Sequence, residues 1–137
     1  MFTELEIEYL GGQPLGRLAT VQPDGTVQNS PVSYRYNPEL DTIDIGGYRM
    51  SASQKFRNLA TNNRVALVVD DVLSQQPWRV RCLEIRGTAE QVRSEREPWP
   101  GGDAAFIRLH PKRIISFGLD QLDVDPHTLT MDKRTVG

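Results

Sequence analysis

Turn chemistry punctuates this chain at short intervals and leaves room for little besides strands. Gly11-Gly12, Pro23-Asp24-Gly25, Asn37-Pro38-Glu39-Leu40-Asp41 and Gln75-Gln76-Pro77-Trp78 are breaker clusters. The runs between them are short, alternating or apolar, as strands are. Helical spacing shows only at the N-terminus and once in mid-chain. Without helices alternating with strands there is no case for a parallel sheet. Six or seven strands joined by hairpins predict an all-β protein, an antiparallel β-barrel with minor α content. A length of 137 residues supports one core and not two, so residues 1–137 are expected to form one domain.

In chain order, Thr3-Glu4-Leu5-Glu6 has the capping-box pattern and opens a short helix that Gly11-Gly12 ends. Residues 16–21 and 27–36 form a hairpin around Pro23-Asp24-Gly25. Pro31 cannot donate to a ladder, which puts that strand at an edge or on a bulge. Thr42-Ile43-Asp44-Ile45 alternates like a half-buried strand. Residues 64–71 make the most apolar strand, a loop follows around residues 75–78, and a long strand over 80–92 is interrupted by Gly87, the mark of a bulge. Residues 93–102 are charged and rich in Pro and Gly. Two last strands, 106–109 and 113–119, are expected around a His110-Pro111 turn, and the polar tail 120–137 is either loose or laid on a partner.

The stretch after Ile45 carries the functional signal. Gly46-Gly47 leaves no side chain to keep a ligand away. Ser51 or Ser53 can cap the helix that follows, whose apolar positions are Ala52, Phe56, Leu59 and Ala60. Lys55 and Arg57 then fall near the helix N-terminus, where the dipole disfavours cations. Two readings are open: solvated cations on a helix held by packing, or an anion such as phosphate sharing that end with the N–H groups.

Other chemistry is sparse. A net charge of −2 and an aromatic content of 7% argue against nucleic acid. No apolar run is long enough to span a membrane and no signal peptide opens the chain, so a cytoplasmic protein is expected. Cys82 is alone, and metal ligands at useful spacing are absent. Asp70-Asp71 reads as solvated carboxylates. His110 reads as a surface residue, and His127 lies in the tail. No serine sits in a nucleophile motif, and no catalytic side chain stands out. Trp99 between prolines reads as surface packing, and Trp78 as a lid or an interface anchor. An enzyme of this composition needs a cofactor to carry the reaction.

Several segments, taken in order, resemble the pyridoxamine 5'-phosphate oxidase-like flavin split-barrel family, in its deazaflavin-dependent oxidoreductase branch. They are Gly16-Arg17-Leu18-Ala19-Thr20-Val21 with Pro23-Asp24-Gly25, Gln28-Asn29-Ser30-Pro31-Val32, Ile43-Asp44-Ile45-Gly46-Gly47 and Lys55-Phe56-Arg57-Asn58-Leu59. Arg64-Val65-Ala66-Leu67-Val68-Val69-Asp70-Asp71, Pro77-Trp78-Arg79 and Glu84-Ile85-Arg86-Gly87-Thr88-Ala89 complete the set. The resemblance implies a six-stranded antiparallel split β-barrel that forms a homodimer with cofactor at the subunit interface. It implies that Lys55 holds the cofactor phosphate and that the ring lies along Asn29, Ser30, Pro31, Val32 and Ser33, flanked by Gly46 and Gly47. The Trp78 loop of the partner would close the groove. Many relatives carry Arg or Lys one or two residues before the lysine, where this chain has Gln54 and Ser53, with Arg49 and Arg57 as substitutes at hand. A single lysine with hydroxyls and N–H groups suits the phosphodiester of F-420, an 8-hydroxy-5-deazaflavin, better than the terminal phosphate of FMN.

The leading expectation is an oxidoreductase that moves a hydride between reduced F-420 and a small unsaturated organic substrate, with Tyr34, Tyr48 or water delivering the proton. An FMN-dependent oxidase or reductase and a non-catalytic flavin-binding protein are the alternatives.

Overall fold

A computed structural model describes residues 1–94 and 101–137. Helix α1 spans Glu4–Gly12, followed by strands β1 (Gly16–Val21), β2 (Val27–Asn37) and β3 (Thr42–Gly46). A 3-10 turn, Met50–Ala52, leads into α2 (Gln54–Asn58). The rest is β4 (Arg64–Gln75), β5 (Trp78–Arg93), β6 (Ala105–Phe117), a second 3-10 turn Pro126–Thr128 and β7 (Asp132–Thr135). The sheet runs β3-β2-β1-β4-β5-β6-β7, and pairing of β3 with β6 closes six of its strands into a ring. All these pairings are antiparallel.

The interior is aliphatic. Leu18, Ile43, Ile45, Leu67, Leu83, Ile85, Ile107, Leu109 and Ile114 are fully shielded, and Phe56 plugs the core from α2. On β1 and β4 the period-2 pattern sends alternate residues inward. The capping box forms as written in the sequence: Thr3 Oγ1 accepts from Glu6 N at 3.1 Å, and Glu6 Oε1 accepts from Thr3 N at 2.9 Å. Gly11 and Gly12 belong to α1 rather than ending it, with Gln13 as the cap.

Five expectations are corrected. Residues 105–117 form one strand and not two, because Pro111 lies at a bulge in β6 rather than in a turn. Arg86 pairs with Arg113 and Gly87 with Pro111, so Lys112 is the extra residue. Gly87 is required there: a Cβ would fall 2.0 Å from the His110 carbonyl oxygen. The tail is not loose, because its β7 adds to the second half of β6 while β3 takes the first half. Arg134 of β7 donates to both carboxylate oxygens of the buried Glu6. The β3 strand is buried on both faces, not one, and its acid, Asp44, accepts from Arg108, Asn37 and Thr42. Finally, the mid-chain helix is five residues long. Ser53 is extended (φ −78°, ψ 150°) and splits the 3-10 turn from α2, leaving Ala52 and Ala60 exposed. The expected loop around residues 75–78 is a tight hairpin turn joining β4 directly to β5. Trp99 lies outside the described residues.

Candidate cofactor cleft

One edge of β2 is left open, and the site grows from that fact. Residues 27–32 of β2 pair with β1, but pairing with β3 begins only at Ser33, opposite Gly46. Along residues 28–32 the far edge therefore carries backbone groups with no ladder partner among the described residues. The chain leaves the sheet at Gly46 and is tied back to it at Asn58, whose Nδ2 donates to Thr20 Oγ1 at 2.9 Å and Gln28 Oε1 at 3.2 Å. The two ends of the intervening segment thus meet β2 on either side of the open stretch, at Ser33 and at Gln28. The segment forms a shallow, open cleft of about 460 Å³ lined by its own residues Gly47, Tyr48, Arg49, Met50, Ala52, Ser53 and Lys55.

The electrostatics of the cleft differ from the expectation in their cause. A five-residue α2 has little macrodipole, so the helix-end argument carries little weight. What remains is sharper. Among the described residues, neither Lys55 nor Arg49 has a hydrogen-bond or ion-pair partner, although the Arg49 guanidinium lies 5.5 Å from the Tyr48 ring centroid. Two unpaired cations in one cleft of a net-negative protein form a local anion trap. Ser53 Oγ is engaged locally: it donates to the Met50 carbonyl at 2.6 Å and caps Phe56 N at 3.4 Å. Gln54 and Arg57 turn away from the cleft. Arg57 donates to Gln54 Oε1 at 2.8 Å, and Gln54 donates to Asn58 Oδ1 at 2.7 Å.

On β2, Asn29, Pro31 and Ser33 are exposed on one face, whereas Val32 is buried and Ser30 half-buried. Ser30 and Val32 can thus serve a ligand on that face through backbone alone. Ala19 stands opposite Asn29, and Ala66 opposite Ala19, so the side chains next to Asn29 are small, whereas Arg17 stands opposite Pro31. A shallow hollow of about 190 Å³ lies beside the two alanines, with Val21 and Val27 in its wall. Trp78 is elsewhere. It closes the β4–β5 hairpin at the far end of β4, and twelve residues of strand measure about 36 Å. It is 52% exposed, with Val72 and Leu73 near it also exposed, so within one chain it does not line the cleft.

Two side chains that tie this segment down gave no local signal in the sequence. Asn58 is fully buried and joins α2 to β1 and β2; its partners lie 30 and 38 residues away. Asp103 ties down the 3-10 turn by accepting from Ser51 N at 3.1 Å and Ser51 Oγ at 2.6 Å. The Ser51 hydroxyl holds the Asp103 carboxyl below the usual range. Tyr34 is not poised to give a proton to the cleft. Burial pushes its pKa up to about 12, and its hydroxyl lies 2.7 Å from the Leu10 carbonyl oxygen and 3.0 Å from that of Gln13. Tyr48, 74% exposed in the cleft wall, is the better placed phenol. Among the described residues no group of three or more His, Cys, Asp or Glu could hold a metal, and no helix is long and apolar enough to cross a membrane.

A closed antiparallel ring of six strands has known counterparts. The family model for pyridoxamine 5'-phosphate oxidase matches residues 3–127. The chain belongs to this family. It is 47% identical over 120 residues to a 5a,11a-dehydrotetracycline/5a,11a-dehydrooxytetracycline reductase of Streptomyces rimosus, covering 87% of this chain and 84% of that protein. A solved F420 reductase matches with 27% identity and a TM-score of 0.60, over 78% of this chain and 94% of the other. A conserved hypothetical protein of Mycobacterium tuberculosis shares the fold at 22% identity, with a TM-score of 0.65 over 85% of this chain and 84% of its own. The chain is an enzyme, an oxidoreductase of the pyridoxamine 5'-phosphate oxidase family.

Proposed function

We propose that this oxidoreductase uses F-420 to reduce a carbon–carbon double bond in a flat, polycyclic, tetracycline-like substrate. The observation that carries the reading is the pair of cations Lys55 and Arg49, unpartnered among the described residues, on the segment whose two ends meet β2 on either side of its open edge. Such a pair attracts a phosphate, and a sheet edge next to it offers N–H and C=O groups to the rim of a planar ring. When bound, reduced F-420 would supply a hydride to a conjugated acceptor and leave as the oxidised cofactor. The chain's own residues do the rest. Lys55 and Arg49 hold the phosphate, and Gly47 leaves backbone accessible beside it. The strand around Asn29, Pro31 and Ser33 presents its exposed face, and the Tyr48 hydroxyl can give a proton.

Support for the substrate class comes from the 47% identical relative, whose name describes reduction of a dehydrotetracycline. Support for F-420 comes from the F420 reductase neighbour at 27% identity. FMN in the same cleft is the second reading, favoured by the family to which the chain belongs. We further propose a homodimer. The apolar tip formed by Val72, Leu73 and Trp78 lies far from the cleft of its own chain and would cover that of a second copy.

The test is anaerobic oxidation of reduced F-420 by the purified protein in the presence of a dehydrotetracycline, with the product identified by mass. Substrate-dependent oxidation and gain of two hydrogens are expected. Tight binding of F-420 without turnover across such acceptors would make the protein a carrier, and a bound flavin released on denaturation would favour FMN.

A further inference from the structure

Helix α2 is too short to hold its own position, since an isolated turn of helix is unstable in water. Two side-chain ties fix it. On one side Gln91 Nε2 donates to the Phe56 carbonyl oxygen at 2.8 Å. On the other, the Asn58 amide reaches across to the β1–β2 hairpin. Its Nδ2 donates to Thr20 Oγ1 at 2.9 Å and Gln28 Oε1 at 3.2 Å, while its Oδ1 accepts from Gln54 Nε2 at 2.7 Å. Gln28 continues the chain by donating from Nε2 to Ser30 Oγ at 3.2 Å. The series therefore runs from the helix that bears Lys55 to the strand whose edge is open.

Asn58 is 0% exposed. Packing α2 on the barrel needs only an apolar side chain there, and burying a primary amide is costly unless its bonds are made. An amide does what a leucine cannot: its donors and acceptor point in fixed directions, so it sets the helix at one angle and height over the strand. We infer that Asn58 is a positioning residue that fixes the spacing between the Lys55–Arg49 cradle and the open edge of β2, and so aligns any flat, phosphate-bearing cofactor that spans both. This rests on the cofactor reading above. A shift of about 1 Å between the two halves of such a site can lower a rate about a hundredfold.

The experiment compares two probes on the full-length protein. Inorganic phosphate touches the cradle alone, whereas F-420 spans cradle and strand. Asn58→Leu removes all three amide bonds at nearly constant volume, and Thr20→Val removes one without touching α2. Asn58→Leu is expected to weaken F-420 binding about tenfold or more while phosphate affinity stays within about twofold, with kcat falling more than KM rises. Thr20→Val should give the same pattern in smaller measure, and it carries the test if Asn58→Leu does not fold. Equal loss of both probes, or unchanged F-420 affinity in both variants, overturns the inference. If the wild-type protein binds neither F-420 nor FMN, the cofactor reading fails first and the inference falls with it. If the wild type binds and the variants match it, only the inference falls.

Discussion

Replacing Asp44 by Ala tests how the barrel supports the cleft. Asp44 is 5% exposed in β3, two residues before Gly46. Arg108 donates to it twice, at 3.0 and 3.2 Å, Asn37 at 3.1 Å and Thr42 at 3.2 Å. Truncation strands the Arg108 guanidinium and two neutral donors on a closing strand of the ring. Breaking a buried ion pair costs about 3–5 kcal/mol. The Arg108 side chain keeps 19% exposure and can recruit water, so the lower end applies, about 3 kcal/mol. For a chain of this size that is a fall in Tm of about 10 °C. Urea denaturation with matched thermal scans measures it. The double variant Asp44→Leu/Arg108→Met, which strands no charge, should recover at least half of the loss. A cost below about 1 kcal/mol for Asp44→Ala, or a double variant worse than the sum of the singles, would refute the reasoning.

Three further outcomes are expected. Gly87→Ala drives a methyl to 2.0 Å from the His110 carbonyl oxygen and should destabilise by about 3 kcal/mol in urea, against little change for Ala at Gly11, which has open space around it. Asp71 accepts from Arg81 and Tyr9, and the Arg81 guanidinium above all holds its carboxyl below the usual range. Its contribution to stability is therefore complete above the ordinary Asp pKa of about 3.9 and is lost as pH falls through the depressed folded value. Asp71→Asn should flatten stability against pH between about pH 5 and 2, and an unchanged slope in acid denaturation would contradict this. Sedimentation should find a dimer, and Ser in place of both Leu73 and Trp78 should raise its dissociation constant about tenfold or more; an unaltered dimer would place the interface elsewhere.

The parts of the fold written locally were legible in the sequence. The β1–β2 hairpin follows from Pro-Asp-Gly between alternating runs, and the cap of α1 from Thr3 and Glu6. What escaped depends on distant partners. His110-Pro111 reads as a turn because a proline in a strand is normally disruptive, yet at a bulge its missing N–H has nothing to bond. Residues 132–135 look like tail because β7 is four polar residues whose anchor, Glu6, is 128 positions away from Arg134. β3 alternates as if half-exposed, and only Arg108, 64 residues on, allows Asp44 to be buried.

The site divides in the same way. The sequence paired Lys55 with Arg57 at a helix end and held Arg49 only as a substitute; it is Lys55 and Arg49 that share a cleft, and with so short a helix it is their lack of partners among the described residues, and not a dipole, that suits an anion. Gln54 and Arg57 carry the right chemistry but are spent within the helix, Arg57 on Gln54 and Gln54 on Asn58. Asn58 itself could not be singled out, because an asparagine next to a leucine has no local sign that Thr20 and Gln28 await it. Trp78 was assigned by resemblance to the groove of a partner, and the length of β4 shows that it lies far from Lys55 of its own chain.

Fluorescence titration of F-420 into the wild-type protein and into Lys55→Ala tests the central claim most directly. The account predicts saturable binding to the wild type and a loss of about 1–3 kcal/mol in the variant, roughly 5- to 150-fold, with a smaller loss for Arg49→Ala. Equal affinity in wild type and Lys55→Ala would contradict it, because the negative end of the cofactor would then lie outside the cleft beside the open edge of β2.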